Sequence, residues 1–160
     1  MKTKTKISLT SCLLAACCLL SSCEYDAPIT PKPTGKVDER LLGNWVSQDG
    51  KDAMQVGKYD DFNYVVSLKS GGLFKVFSSA ISDVQFVSVQ DISQGNRKFY
   101  YWAWKLAPDG TLSLRNVNDK LVPDSTRDSK AVYKLLKENL KSPDLLGKEA
   151  IFVREKKTEG

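Results

Sequence analysis

The stretch "KFYYWAWKLAPDGTLSLRNV" (Lys98–Val117) decides how this chain folds. Its side chains repeat with a period of two rather than 3.6, and Pro108-Asp109-Gly110 interrupts the pattern with turn residues. Two strands joined by a tight turn are therefore expected over 98–107 and 111–117. Successive strand residues point to opposite faces, so Tyr100, Trp102, Trp104 and Leu106 share one face. Phe99, Tyr101, Ala103 and Lys105 share the other. Lys105 has to reach water, which turns the two tryptophans inward. Phe99 and Tyr101 then need cover from another element.

Working back toward the N-terminus, the same period predicts strands near 41–48, 53–59, 62–69, 72–80 and 83–90. Turn signals separate them at Asp49-Gly50, Asp60-Asp61, Ser70-Gly71-Gly72 and Gly95-Asn96. Beyond residue 117 the period lengthens. A helix capped by Asp128 or Ser129 and stopped before Pro143 puts Val132, Leu135, Leu136 and Leu140 on one side. Lys130, Lys134, Lys137 and Lys141 fall in a narrow stripe opposite. Such a helix suits a sheet face or a barrel mouth. "EAIFVRE" (Glu149–Glu155) reads as a closing strand. The expected fold is mainly β: a small antiparallel meander β-barrel of about eight strands, with one amphipathic helix before the last strand. It should occupy residues 37–155, with 156–160 as a frayed tail.

The first 22 residues have a different character. A basic start (Met1–Lys6) leads into an apolar run (Ile7–Leu20) and then Ser21 and Ser22, the layout of a secretory signal peptide that is removed. The run is shorter than the ~20 residues that a membrane-spanning helix needs. Cys12, Cys17 and Cys18 leave with it, so Cys23 is the one sulfhydryl of the processed chain and no disulfide framework is expected. "EYDAPITPKPTGK" (Glu24–Lys36) holds three of the six prolines and reads as an extended, polyproline-like tether. At ~3.1 Å per residue it would reach about 40 Å.

Composition removes several classes of function. The chain is 41% hydrophobic and 27% charged, enough for one domain with a single core. Its net charge of +5 is concentrated at the start. Three of the 24 basic residues are Lys2, Lys4 and Lys6, and no acidic residue precedes Glu24, so the chain from Cys23 onward carries 21 basic against 19 acidic side chains. Such a balance offers no footprint for nucleic acid. Histidine is absent, which excludes Ser-His and Cys-His nucleophile pairs and zinc sites built on His. No phosphate-binding loop and no EF-hand spacing occurs, so no metal and no cofactor is expected. Turn carboxylates such as Asp60 with Asp61, or Asp49 with Asp52, are better solvated than catalytic, and no enzyme is expected.

Two resemblances add to this reading. Leu20-Ser21-Ser22-Cys23 resembles the lipobox of bacterial lipoproteins. That resemblance implies a diacylglycerol on the Cys23 thiol, cleavage before it, and further acylation of the new amino terminus. Two or three chains make such an anchor durable where one would not. It implies a cell-envelope location, and Glu24 in place of an inner-membrane-retaining Asp points to the outer membrane. The acidic "CEYD" also fits surface export. An incidental cysteine beside a secretory cleavage site is the alternative. Second, Leu42-Gly43-Asn44-Trp45 opens the first strand with a Gly-x-Trp pattern that resembles the lipocalins and related calycin barrels. In those barrels a Trp closes the floor and an Arg near the barrel's end packs across it, here implying the pair Trp45 and Arg154. The chain departs from them in placing its helix before the last strand. It looks more like small lipocalin-like lipoproteins of Gram-negative bacteria than like a true lipocalin.

The aromatic cluster Trp45, Tyr100, Trp102 and Trp104 has two readings. It fills an eight-stranded barrel that is just wide enough for side chains, the reading with the greater weight, or it walls a ligand cavity. The leading functional expectation is a membrane-anchored, monomeric, non-enzymatic module that binds a small apolar or amphiphilic ligand. The alternative is an envelope interaction or inhibitor module. It would act through loops or through Lys130, Lys134, Lys137 and Lys141, a stripe otherwise read as a solvated helix face or a contact for anionic lipid head groups.

Overall fold

A computed structural model describes residues 23–155, except Gln94 and Asn96. The expected signal peptide (1–22) and frayed tail (156–160) lie outside the described residues.

Eight strands close into one antiparallel barrel in sequence order. They are β1 (Gly43–Ser47), β2 (Ala53–Lys58), β3 (Tyr64–Leu68), β4 (Leu73–Ile81), β5 (Val84–Asp91), β6 (Phe99–Leu106), β7 (Leu112–Val117) and β8 (Leu146–Arg154). β8 returns to β1, pairing Trp45 with Arg154 and Ser47 with Phe152, so no edge is left open. One helix, α1 (Ser129–Asn139), precedes β8. The Asp128 side chain caps it by accepting from the Ala131 N–H. Turns 59–63, 82–83 and 107–111 lie at one end of the barrel, here the lower end, with a short 3-10 turn at Glu39–Leu41. Turns 48–52 and 69–72, loop 92–98 and the connection carrying α1 lie at the upper end.

The strongly alternating β6 sets up two cores, one on each side of the sheet. Its inner face joins Trp45, Met54, Val56, Tyr64, Val76, Val87, Leu112 and Phe152 inside the barrel. Its outer face joins Ile81, Phe86, Tyr101 and Ala103 outside, where Val132 and Leu136 of α1 cover them at full burial. Lys105 is exposed, as its face requires. Helix α1 thus lies along the sheet and does not plug the mouth.

The expected free tether over 24–36 is corrected by the structure. Tyr25, Ala27, Ile29 and Thr30 are buried, and the segment runs down the outside of β6, β5 and β4 as a strap. Tyr25 exchanges both backbone hydrogen bonds with Phe99 at the upper end. It also stacks on Tyr101 with ring centroids 3.9 Å apart and donates its hydroxyl to the Val122 carbonyl at 2.7 Å. Tyr101 in turn donates to the Ala27 carbonyl. The Ile29 N–H donates to Ser88 Oγ at 3.0 Å, and Thr34 bonds the Ser78 carbonyl and the Ala80 N–H. Val37 meets Asp61 at the lower end. Prolines suit this path because they bring no N–H that burial would leave unmade. Asp26 pairs with Lys98 and Arg127, fastening the strap to the upper loops.

Candidate functional site

The barrel interior is not filled, which reverses the more heavily weighted reading of the aromatic cluster. It holds a cavity of about 290 Å³. The reason is on the inner face, where Val56, Val66, Val76, Val87 and Val89 supply short side chains that do not meet across the barrel. Leu68, Phe74, Leu114 and Phe152 complete an almost wholly apolar wall.

Tyr100, Trp102 and Trp104 stand on that wall, side by side along β6. Trp45 does not. It is fully buried beneath the cavity, so its expected place among ligand-contacting residues is corrected to the floor. Its indole Nε1 donates to the Leu41 carbonyl at 2.8 Å, which lowers the 3-10 turn onto the barrel end. The Arg154 guanidinium carbon sits 4.6 Å from the Trp45 ring centroid, the expected pairing. The same guanidinium donates to the Leu42 carbonyl at 2.8 Å and to the Arg40 carbonyl. Gly43 is what lets it in: a Cβ there would stand 2.8 Å from Arg154 Nη1, and its φ of +125° is closed to other L residues. Gly-x-Trp is thus a floor latch here, with the glycine making room for the cation and the tryptophan receiving it.

The wall residues Leu41, Tyr64, Leu112 and Phe152 toward the lower end are buried, whereas Leu68, Phe74 and Tyr100 beside the upper turns are half-exposed, which points to an opening at the upper end. Asp91 lines the cavity there, accepting from the Ser93 N–H at 2.8 Å and the Ser93 hydroxyl at 2.6 Å. The Tyr100 hydroxyl donates to Glu24 Oε1 at 3.0 Å. Burial, and then this acceptor, push the Tyr100 phenol up to about 12. Trp104 Nε1 is buried without a hydrogen-bond partner among the described residues, an open donor in a wall residue. Alternation alone marks Val66, Leu68, Phe74, Val89 and Leu114 as inward-facing, but their part in a cavity depends on barrel radius.

Cys23 lies at the same upper end, half-buried, its thiol donating to Asp119 Oδ2 at 3.0 Å. That hydrogen bond, then burial, then the negative charge around it, raise the thiol to about 11. Lys130, Lys134 and Lys137 are exposed on α1, and Lys141, expected on the same helix, is exposed in the turn just past its end; all four lie outside the barrel and apart from the cavity. Lys134 reaches Glu138 at 3.8 Å. The turn carboxylates cap their own turns. Asp60 accepts from the Asn63 side chain and the Phe62 and Asn63 N–H groups, and Asp49 from Ser47 and the Lys51 N–H. These bonds hold both carboxyls below their ordinary value. Comparison with known proteins matched the chain to no family model, no curated protein sequence and no solved structure.

Proposed function

We propose that this protein is a lipid-anchored bacterial envelope protein whose barrel binds one small apolar or amphiphilic molecule without chemical conversion. The observation that carries the reading is the apolar cavity of about 290 Å³, sealed below by Trp45 and Arg154 and open above. Its volume lies at the small end of the roughly 300–1,000 Å³ of ligand sites, which suits a single acyl chain or a small ring system. The polar groups gather at the opening, where Asp91, Tyr100 and Glu24 would meet a head group while the valine-rich wall holds the tail. The anchor rests on Leu20-Ser21-Ser22-Cys23, and Glu24 after the cysteine favours the outer membrane.

Native mass spectrometry of the full chain purified from its host is the test, with an adduct of a few hundred daltons expected. Val89→Trp should narrow the space, reduce the adduct and leave thermal stability equal or higher. An empty wild-type barrel that also takes up no fluorescent fatty acid would overturn the binding reading. Intact mass at Cys23 tests the anchor separately. The exposed lysine face of α1 supports a second reading, docking of an acidic envelope partner. Charge reversal at Lys130, Lys134, Lys137 and Lys141 should then release a crosslinked partner, and retention of every partner would sink that reading.

A further inference from the structure

The strap fixes where an anchor at Cys23 would hold the barrel. Cys23 is two residues from Tyr25, which is clamped to Phe99 by two backbone bonds and to Tyr101 by stacking. Two residues span at most about 7 Å, so nothing between anchor and barrel acts as a free spacer. Cys23 also touches Asp119, just past the upper end of β7, and Glu24 holds the hydroxyl of Tyr100, whose ring lines the cavity. The attachment point therefore sits on the rim of the opening.

We propose that the open end of the barrel lies against the bilayer, so that the cavity exchanges its occupant directly with membrane lipid. This rests on the lipid-anchor reading above and adds the orientation of the barrel and the source of its ligand. The rim is fitted to the contact. Leu73 and Ile92 are 40% and 43% exposed, and they sit together because the Ile92 N–H bonds the Leu73 carbonyl at 2.9 Å. Exposure alone does not choose the end, since Tyr59 and Phe62 are exposed on the lower 59–63 turn. The position of Cys23 chooses it. An eight-residue strand such as β6 rises about 26 Å, so a tilt of about 40° leaves the lower turns roughly 20 Å farther from the membrane.

The experiment uses the full-length lipidated protein in vesicles containing phosphatidylcholine brominated along its acyl chains. Lipidation blocks Cys23, so Ile92→Cys or Phe62→Cys supplies the one thiol for a fluorescent label. The label at 92 should lose most of its emission to the brominated lipid, while the label at 62 keeps it. Leu73→Cys and Tyr59→Cys repeat the comparison should either first variant fold poorly. Inserting twenty Gly/Ser residues between Glu24 and Tyr25 gives a reach of about 25 Å and should restore emission at 92 without loss of the anchor. Equal quenching at the two ends, or stronger quenching at 62, overturns the orientation. A label at 92 shielded from aqueous iodide yet untouched by brominated lipid would mean that a protein covers the rim, and overturns it too. Quenching at 92 that survives the insertion overturns the part given to the strap. An unmodified Cys23 in the intact mass is a failure of the anchor reading instead, and the two failures are told apart on one sample.

Discussion

Substituting Gly43 by alanine tests the floor latch and, with it, the physical meaning of Gly-x-Trp. The new Cβ would lie 2.8 Å from Arg154 Nη1 at a φ of +125°. Holding an L residue in such a conformation costs ~1–3 kcal/mol. The guanidinium must also withdraw from Trp45 and from the Leu42 and Arg40 carbonyls. Because Arg154 is exposed, we discount those hydrogen bonds to about 0.5–1 kcal/mol each. The ring contact adds about 0.5–1 kcal/mol. Arg154→Ala should therefore cost about 2 kcal/mol and Gly43→Ala about 4 kcal/mol, a large part of the ~5–15 kcal/mol that holds a domain together. Urea unfolding followed by circular dichroism would show the Gly43→Ala midpoint falling by about 2 M for an ordinary slope. The decisive measurement is the double mutant. If alanine at 43 acts by evicting Arg154, removing Arg154 as well costs little more, and the cycle shows about 2 kcal/mol of coupling. Costs that add to within ~0.5 kcal/mol would refute the eviction argument and reduce Gly43 to a backbone requirement.

The docked strap carries stability: Ile29→Ala, at a fully buried site, should cost ~2–5 kcal/mol in the same assay, whereas a free tether would show no change. In protein produced without export and starting at Cys23, the thiol should alkylate slowly at pH 8 and half-maximally near pH 11, and Asp119→Asn should bring the midpoint down toward 9. A wild-type midpoint near 9 would mean that the strap does not hold the thiol against Asp119. Tyr100, raised to about 12, and Tyr25 and Tyr101, also raised, bind their protons more tightly folded than unfolded. Their contribution is complete below pH ~10 and lost as pH rises through the folded values, so the urea midpoint should fall steadily above pH 10. A midpoint unchanged from pH 9 to 12 would contradict their burial. Glu24→Gln should weaken the shift at Tyr100 without touching that at Tyr101, as read by ultraviolet phenolate titration.

The parts of the fold that the sequence disclosed are those governed by alternation. Lys105 among aromatics settles which way β6 faces, and every later strand inherits its sense from a turn whose residues are identifiable. The size of the interior is not of this kind. It depends on the summed bulk of side chains from seven strands against a barrel radius, and one Val in place of Leu at several inner positions changes filling into a cavity without altering the pattern. Trp45 shares its chemistry with Trp102 and Trp104, yet it is floor rather than wall, because the pairing of β1 with β8 places Arg154 on its ring. A register across a hundred residues leaves no local mark.

The strap shows the opposite case, a signal that was present but outweighed. Tyr25, Ala27 and Ile29 are spaced by two between Glu24, Asp26 and Pro28, the alternation of a half-buried strand, while three prolines nearby speak for a solvated spacer. The conflict resolves through the demand of β6 for outer cover. Phe99, Tyr101 and Ala103 form a second apolar face, and α1, capped at Asp128 and ended before Pro143, is too short to cover it alone. A segment with few N–H groups to satisfy is well suited to finish the task, and prolines provide that. Once Tyr25 must reach Tyr101, Cys23 has nowhere to lie except beside the opening. The position of Cys23 thus follows from the two-sided packing of one strand, and the proposed meeting of cavity and membrane rests on that position.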